Sequence, residues 1–513
     1  MWNKSRKLLS VVLTVVMLIS VAAPCFTASA VSTVQDLPVV YIRGRGTALF
    51  TKDGEKIYPF DQSPQDMIKE KAGPVMKELA AALITDKWDS YCDSLVDAVS
   101  SIYKDVIPNK DGEVVDGSYC RNSSKPNDKK GNYGLEEFVF VYDWRLDPCY
   151  TAKELNKYID SILAATGKNK VNLVGRCYGS NIVTAYLQEF GNEKIEQLVL
   201  YVPTALGTKM AGALFAGKIT LNPDSVESFL YQAVDYENDP LMGMLSALVT
   251  ILNEFKVLGI GTDMLETIYA KIKTNVLPRL VLSTYGAMPS YWAMISDEYY
   301  DESKETIFGG REDEYAGMIE KIDYYHENVM NNAADIYIDA NDNGTRISII
   351  SKYNVRFPPI FEGSDIQADD SVETKTSSFG ATCADYTTTL SEEYIENAQL
   401  SGKGMYISAD KKIDASTCMF PDRTWSVRDI AHSNFPNSIS ELIVKIFNEK
   451  IDIFDTEEYP QFMKWSEEGD TLSPVDDEVK TDRLWGRNII EKFIFFIVKV
   501  FKFIANAFKN GIK

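Results

Sequence analysis

The stretch Val171-Asn172-Leu173-Val174-Gly175-Arg176-Cys177-Tyr178-Gly179-Ser180 constrains the fold of this chain more than any other. Val171 to Val174 reads as a buried strand, Gly175 to Gly179 as a tight turn, and Ile182 to Phe190 as a helix. Glycines flank the turn because side chains there would collide. The central residue then stands exposed at a helix N-terminus, where free backbone N–H groups and the helix dipole favour negative charge. For a cysteine that setting lowers the thiol pKa and raises its reactivity. Cys177 is therefore read as a nucleophile, against the plainer reading of a buried, inert thiol in a strand-to-helix turn. No G-x-S-x-G occurs in the chain, so no serine competes for the role by motif.

The surrounding segments set this turn in a larger pattern. Leu37 to Ile42 is an apolar run that stops at Arg43-Gly44-Arg45-Gly46. Helix-like segments follow over 64–105, then a polar loop near 108–133, a strand from Phe138 to Tyr142, and an amphipathic helix from Ala152 to Ala165. Leu198 to Val202 reads as the next strand. Strand and helix alternating at short intervals predict an α/β fold, a mostly parallel sheet flanked by helices. From 205 to 340 the alternation gives way to apolar helical segments such as Leu241 to Leu252 and Val276 to Ile295. That interval is expected to be a helical cap inserted into the sheet domain, or a helical subdomain without a gating role. Strand signals return at Ile347 to Ile350 and Thr424 to Ile430, placing the second part of the core at 341–450 and the first at 31–204.

A nucleophile in this turn needs a base, and the chain has only two histidines. His432 follows a late strand, where the order nucleophile, acid, histidine puts the base. His326, inside the helical interval, reads as a surface or packing residue. Asp369, in Ala368-Asp369-Asp370-Ser371-Val372 after a strand, is the preferred acid, with Asp410 as the fallback and Asp414 third. An oxyanion hole would take one backbone N–H from Tyr178 and another from Arg45 in the first-strand loop, whose glycines let backbone approach the substrate.

The two ends differ from the body. Lys4, Arg6 and Lys7 precede an apolar run, and Ala28-Ser29-Ala30 supplies a small-residue cleavage site, so 1–30 reads as a signal peptide and the protein as secreted. An exported chain can keep disulfides, and loop placement suggests Cys120 with Cys149 and Cys383 with Cys418. Residues 451–484 are acidic and read as a linker. Residues 485–513 project as a helix with lysines on a narrow face and Phe, Ile and Val over the rest, a pattern suited to peripheral membrane contact. Lys492, Lys499 and Lys502 break any apolar run of spanning length. A net charge of -21 argues against nucleic acid as a partner. Asp339-Ala340-Asn341-Asp342-Asn343-Gly344 matches half of a calcium loop, but Ile350 stands where its last ligand should be, so a turn before a strand is expected.

Taken together, these residues resemble the lecithin–cholesterol acyltransferase family and its bacterial lipase-like relatives. Tyr142-Asp143-Trp144-Arg145 is similar to that family's Y-D-W-R segment, and Pro289-Ser290-Tyr291-Trp292 to its P-S-x-x-W-type stretch in the cap. Asp369-Asp370-Ser371-Val372-Glu373-Thr374 resembles its acid motif, and Val39 to Gly46 its oxyanion loop. The resemblance covers roughly 37–445 and implies an α/β-hydrolase fold, a helical cap and acyl-ester chemistry on lipid-like substrates. Two positions depart from it: Cys177 replaces serine, as in the dienelactone hydrolases, and Arg43 stands where lipases often have histidine. The expected protein is a secreted acyl-ester hydrolase or acyltransferase using Cys177, His432 and Asp369, with no metal or organic cofactor. The alternative is a catalytically impaired scaffold acting as an envelope-associated binding protein.

Overall fold

The structure, a computed structural model, describes residues 33–62, 64–129, 131–220 and 262–477. Residues 1–30, read as a signal peptide, the stretch 221–261 and residues 485–513, read as an amphipathic helix, lie outside the described residues. Eight strands form one sheet: β1 (Val39–Ile42), β2 (Phe138–Phe140), β3 (Val171–Arg176), β4 (Ile195–Tyr201), β5 (Arg346–Tyr353), β6 (Thr424–Arg428), β7 (Phe462–Ser466) and β8 (Thr471–Pro474). Their spatial order is β8-β7-β6-β5-β4-β3-β1-β2. All neighbours are parallel except β7 with β8. Continuous apolar runs such as Val39-Val40-Tyr41-Ile42 suit strands covered on both faces, and all four of those residues are buried.

Helices supply the cover. The helix Pro148–Thr166 begins where Asp147 caps it, accepting the amide N–H of Cys149 at 3.0 Å and of Tyr150 at 3.3 Å. It ends at Gly167, whose φ of 68° closes the last turn in the left-handed region. Leu155, Tyr158, Ile159 and Ile162 form its buried face. Against the opposite face of the sheet, the helix Asn437–Glu449 buries Ile439, Leu442, Ile443, Ile446 and Phe447 with Tyr41, Val174 and Val199. Each such side chain contributes roughly 1.5–3 kcal/mol through burial.

Between Tyr201 and Arg346 the regular structure is helical among the described residues, from Lys209–Phe215 to Ala333–Asp342. Trp292 centres its packing, edge-on to Phe215 at 5.2 Å and stacked on Phe308 at 4.8 Å. A buried Asn181 ties this insertion to the sheet domain, its Nδ2 donating to Ala293 O at 2.7 Å and to Thr204 O at 3.2 Å. The helix Ala333–Asp342 runs into a turn at Gly344, φ 99°, before β5.

Two expectations are corrected. The stretch from 451 is not a linker up to 477, because it supplies β7 and β8. Its Phe462 and Met463 are buried, and Asp476 pairs with the buried Arg428 at 2.7 Å. Glu467 and Glu468, two of the acidic residues that suggested a linker, lie in the turn between these strands. The six described cysteines are all free thiols, so neither Cys120–Cys149 nor Cys383–Cys418 is a disulfide. Cys149 instead packs in the first turn of its helix, and Cys383 and Cys418 share a small apolar cluster.

Candidate active site

The turn after β3 holds Cys177 at φ 50°, a left-handed conformation that costs a non-glycine residue about 1–2 kcal/mol. Its neighbours pin it: Cys177 N–H donates to Tyr201 O at 2.9 Å, and Cys177 O accepts the Ser180 hydroxyl at 2.7 Å. Gly179 is required by close approach, since a Cβ there would sit 2.5 Å from Ile42 O. Gly44, in the loop after β1, faces Cys177 itself; a Cβ on it would lie 3.5 Å from Sγ. The first-strand loop and the turn therefore meet at the thiol.

His432 lies in the loop that leaves β6. Its Nδ1 is 2.7 Å from Asp369 Oδ2, and its imidazole lies beside the Cys177 thiol, near enough for each to shift the other's titration. Asp369 is fully buried in the loop after β5. Its other carboxylate oxygen accepts the amide N–H groups of Val372 at 2.8 Å and Ser371 at 3.2 Å. Both oxygens of this buried carboxylate are thus satisfied, as a buried charge demands. The imidazole thus stands between the thiol and the carboxylate, hydrogen-bonded to the latter.

Electrostatics follow from that contact. Burial pushes the Cys177 thiol up, but the His432 imidazole, then Arg45 and the Tyr178 amide, outweigh it and hold the thiol below its ordinary value. Burial works against a charged His432 as well, yet Asp369 and Cys177 raise it to about 10. Asp369 sits below the usual carboxylate range: burial opposes this, and His432 and Lys352 overcome it. The contact therefore favours the thiolate paired with the imidazolium, lowering the one group and raising the other. Such an arrangement can present a charged sulfur to an electrophilic carbon and return a proton to a departing oxygen.

The loop bearing Arg45 is held by the segment after β2. Tyr142 donates its hydroxyl to Arg43 O at 2.7 Å, and Trp144 Nε1 donates to Thr47 O at 2.9 Å. Arg145 is buried and paired with Asp143 at 2.6 Å, fixing the turn that carries both aromatics. Reading the sequence alone left Tyr142 and Trp144 without a role; the signal was a polar-aromatic run leaving a strand next to the glycine loop. The Arg45 guanidinium lies 4.1 Å over the ring of Tyr291, from the helical insertion, and 6.0 Å from that of Tyr178.

Other sequence candidates lie elsewhere. Asp410, the fallback acid, is buried against Arg428 at 3.1 Å and accepts the Tyr353 hydroxyl at 3.0 Å, so its carboxylate serves that pair and not His432. Asp414 accepts the Tyr394 hydroxyl at 2.8 Å and caps a short turn through the Ser416 amide. His326 is buried, stacked on Tyr300 at 3.6 Å and paired with Asp297 at 3.0 Å.

Residues 114–233 match the sequence family described as the alpha/beta hydrolase fold. With the eight-stranded, mostly parallel sheet and its flanking helices, the chain has an α/β-hydrolase fold with a helical insertion. Among solved structures it is similar to a chain of the Tle4–Tli4 complex at 17% identity and TM-score 0.18, covering 35% of this chain and 48% of that one. It spans about half of that chain's length. A serine hydrolase from Cycloclasticus zankles shows 12% identity and TM-score 0.18, covering 62% of this chain and 73% of its own. An esterase from Exiguobacterium antarcticum shows 10% identity and TM-score 0.16, covering 57% and 94%. No curated protein matches the sequence.

Proposed function

We propose that the protein is a secreted acyl-ester hydrolase or acyltransferase whose nucleophile is a cysteine, acting on lipid or other acyl-ester substrates. The observation that carries this reading is the His432 imidazole set between the Cys177 thiol and the buried Asp369, to which it is hydrogen-bonded at 2.7 Å. The Cys177 thiolate attacks the ester carbonyl carbon, and the carbonyl π electrons move to oxygen. The backbone N–H groups of Tyr178 and Arg45 stabilise that oxyanion. When the tetrahedral intermediate collapses, the C–O bond breaks and the alkoxide takes the His432 proton, leaving a thioester. His432 then removes a proton from water or an acceptor hydroxyl, which attacks the thioester and releases Cys177 as thiolate, with the proton on His432. Asp369 holds the imidazole in the orientation and tautomer this cycle needs.

Secretion and membrane contact belong to the same reading through 1–30 and 485–513, and both are drawn from sequence. The test is hydrolysis of a panel of p-nitrophenyl esters and thioesters by the mature protein and by Cys177→Ala. Turnover present in the first and lost in the second supports the reading. Equal background in both contradicts it and leaves the binding scaffold as the account of the fold.

A further inference from the structure

The loop that carries His432 has neither strand nor helix geometry, yet four successive carbonyls along it are held by side chains from the sheet. Lys352, fully buried on β5, donates from Nζ to Ala431 O at 2.8 Å, His432 O at 3.0 Å and Asn434 O at 2.8 Å. An ammonium has three donors, and all three are used on this loop. Arg176, beside the nucleophile on β3, donates from Nη2 to Ser433 O at 2.6 Å. Tyr201, at the end of β4, donates its hydroxyl to Asn434 O at 2.8 Å. The Tyr201 ring lies against both cations, 4.8 Å from Lys352 Nζ and 5.9 Å from the Arg176 guanidinium carbon. On the other side, the His432 amide donates to Asp369 O at 2.8 Å.

Packing alone does not call for this arrangement. Burying an ammonium costs several kcal/mol, and an apolar side chain of similar volume would fill the space at no such cost. What the lysine supplies is direction: a loop without a backbone ladder is given a fixed path by three strands that already define the turn at Cys177. We propose that Lys352, with Arg176 and Tyr201, is the positioning device for the base, fixing the 431–434 backbone so that the His432 imidazole meets both Cys177 and Asp369. This rests on the reading of those three residues as the catalytic group. Lys352 acts through His432 and is not itself a catalytic residue.

The test is the pH profile of Cys177 alkylation by iodoacetamide, read alongside kcat and KM for a p-nitrophenyl ester. The charged or titratable groups facing Lys352 are Asp369, Asp370, Arg176, Cys177 and Tyr201, and burial lowers the lysine itself to about 7, so its charge must be separated from its grip. Lys352→Met is expected to raise the inflection of the thiol profile by about one pH unit. It should lower kcat by about a hundredfold, as misplacement of a reacting group does, with KM little changed. In a His432→Ala background the same substitution should leave the thiol profile where it was, because the loop then carries no base to misplace. An equal shift in both backgrounds would mean that Lys352 acts as a bare charge, and no shift in either that it holds nothing of consequence; each overturns the proposal. Tyr201→Phe keeps the ring and removes one donor, so it tests the same device if Lys352→Met does not melt cooperatively. Its shift should be smaller, in the same direction, and absent without His432. A thiol that titrates normally in the unsubstituted protein would instead overturn the catalytic reading.

Discussion

Asp369 holds His432 twice: its carboxylate receives Nδ1 at 2.7 Å, and its backbone carbonyl receives the His432 amide at 2.8 Å. One residue therefore fixes both the path of the loop and the orientation of the ring. Asp369→Asn keeps the size and the backbone contact but offers an amide where the imidazole needs an acceptor. Ester turnover is expected to fall by about 10⁴-fold, by analogy with such a change in serine triads. Asp410→Asn provides the contrast. It removes one of the charge partners of buried Arg428, which keeps Asp476, and is expected to cost about 1.5–3 kcal/mol of stability, with Cys177 reactivity unchanged in the folded protein. Turnover assays and chemical denaturation on both variants separate the two acids; the opposite assignment of effects would make Asp410 the functional one.

The thiolate–imidazolium pair has its own pH signature. Because Cys177 is held low and His432 is raised to about 10, the step in the alkylation rate should lie below the ordinary thiol range near 8.5. In His432→Ala the step should return to that range. The sign for stability follows from the same shifts. His432, with its folded value raised, contributes stability fully present below about 6.5 and lost as pH rises through about 10. Cys177, with its folded value depressed, contributes stability present above about 8.5 and lost as pH falls through its folded value. A Cys177 profile with its step near 8.5 in the intact protein contradicts this pairing.

Glu373 behaves in the opposite sense. Burial, with a smaller push from Asp369, raises its carboxyl to about 7, while one of its oxygens accepts the Lys209 amide at 2.7 Å. A carboxyl raised on folding binds more protons in the native state, so its contribution to stability falls as pH rises through this range. Glu373→Gln keeps the acceptor and removes the charge. Its melting temperature relative to the unsubstituted protein should climb between acid and mildly alkaline pH. A difference that is flat or falling would place the ionised form in a favourable environment.

Much of this arrangement was legible in the sequence because local chemistry and global topology agree there. The glycines around Cys177, the apolar runs of β1 and β3, and the acid and histidine placed after late strands all point to one sheet and one end of it. What escaped sequence reading depends on contacts between distant segments. Phe462 to Ser466 carries a short, imperfect alternation among acidic residues, so charge suggested a linker where burial against β6 makes a strand. Asp369 and Asp410 share nearly the same local form, and only the positions of Arg428 and His432 tell them apart. The roles of Tyr142 and Trp144 depend on carbonyls about a hundred residues earlier, at Arg43 and Thr47.

Those two aromatics yield a further expectation. Tyr142→Phe leaves the ring packed but releases Arg43 O, loosening the loop whose Gly44 faces Cys177. If that loop supplies an oxyanion donor, kcat should fall by about tenfold or more while Cys177 alkylation stays the same, since the donor matters only once charge reaches the carbonyl oxygen. Steady-state kinetics beside alkylation rates decide it. Equal losses in both would mean that the substitution disturbs the thiol itself.

The most direct test of the central claim is labelling of the mature protein with an acyl probe that traps thioesters, followed by mass spectrometry of the modified peptide. The account predicts a single acyl adduct on Cys177, absent in Cys177→Ala and lost or strongly slowed in His432→Ala. Folded protein that gives no adduct on Cys177 under reducing conditions, or one indifferent to His432, would contradict it.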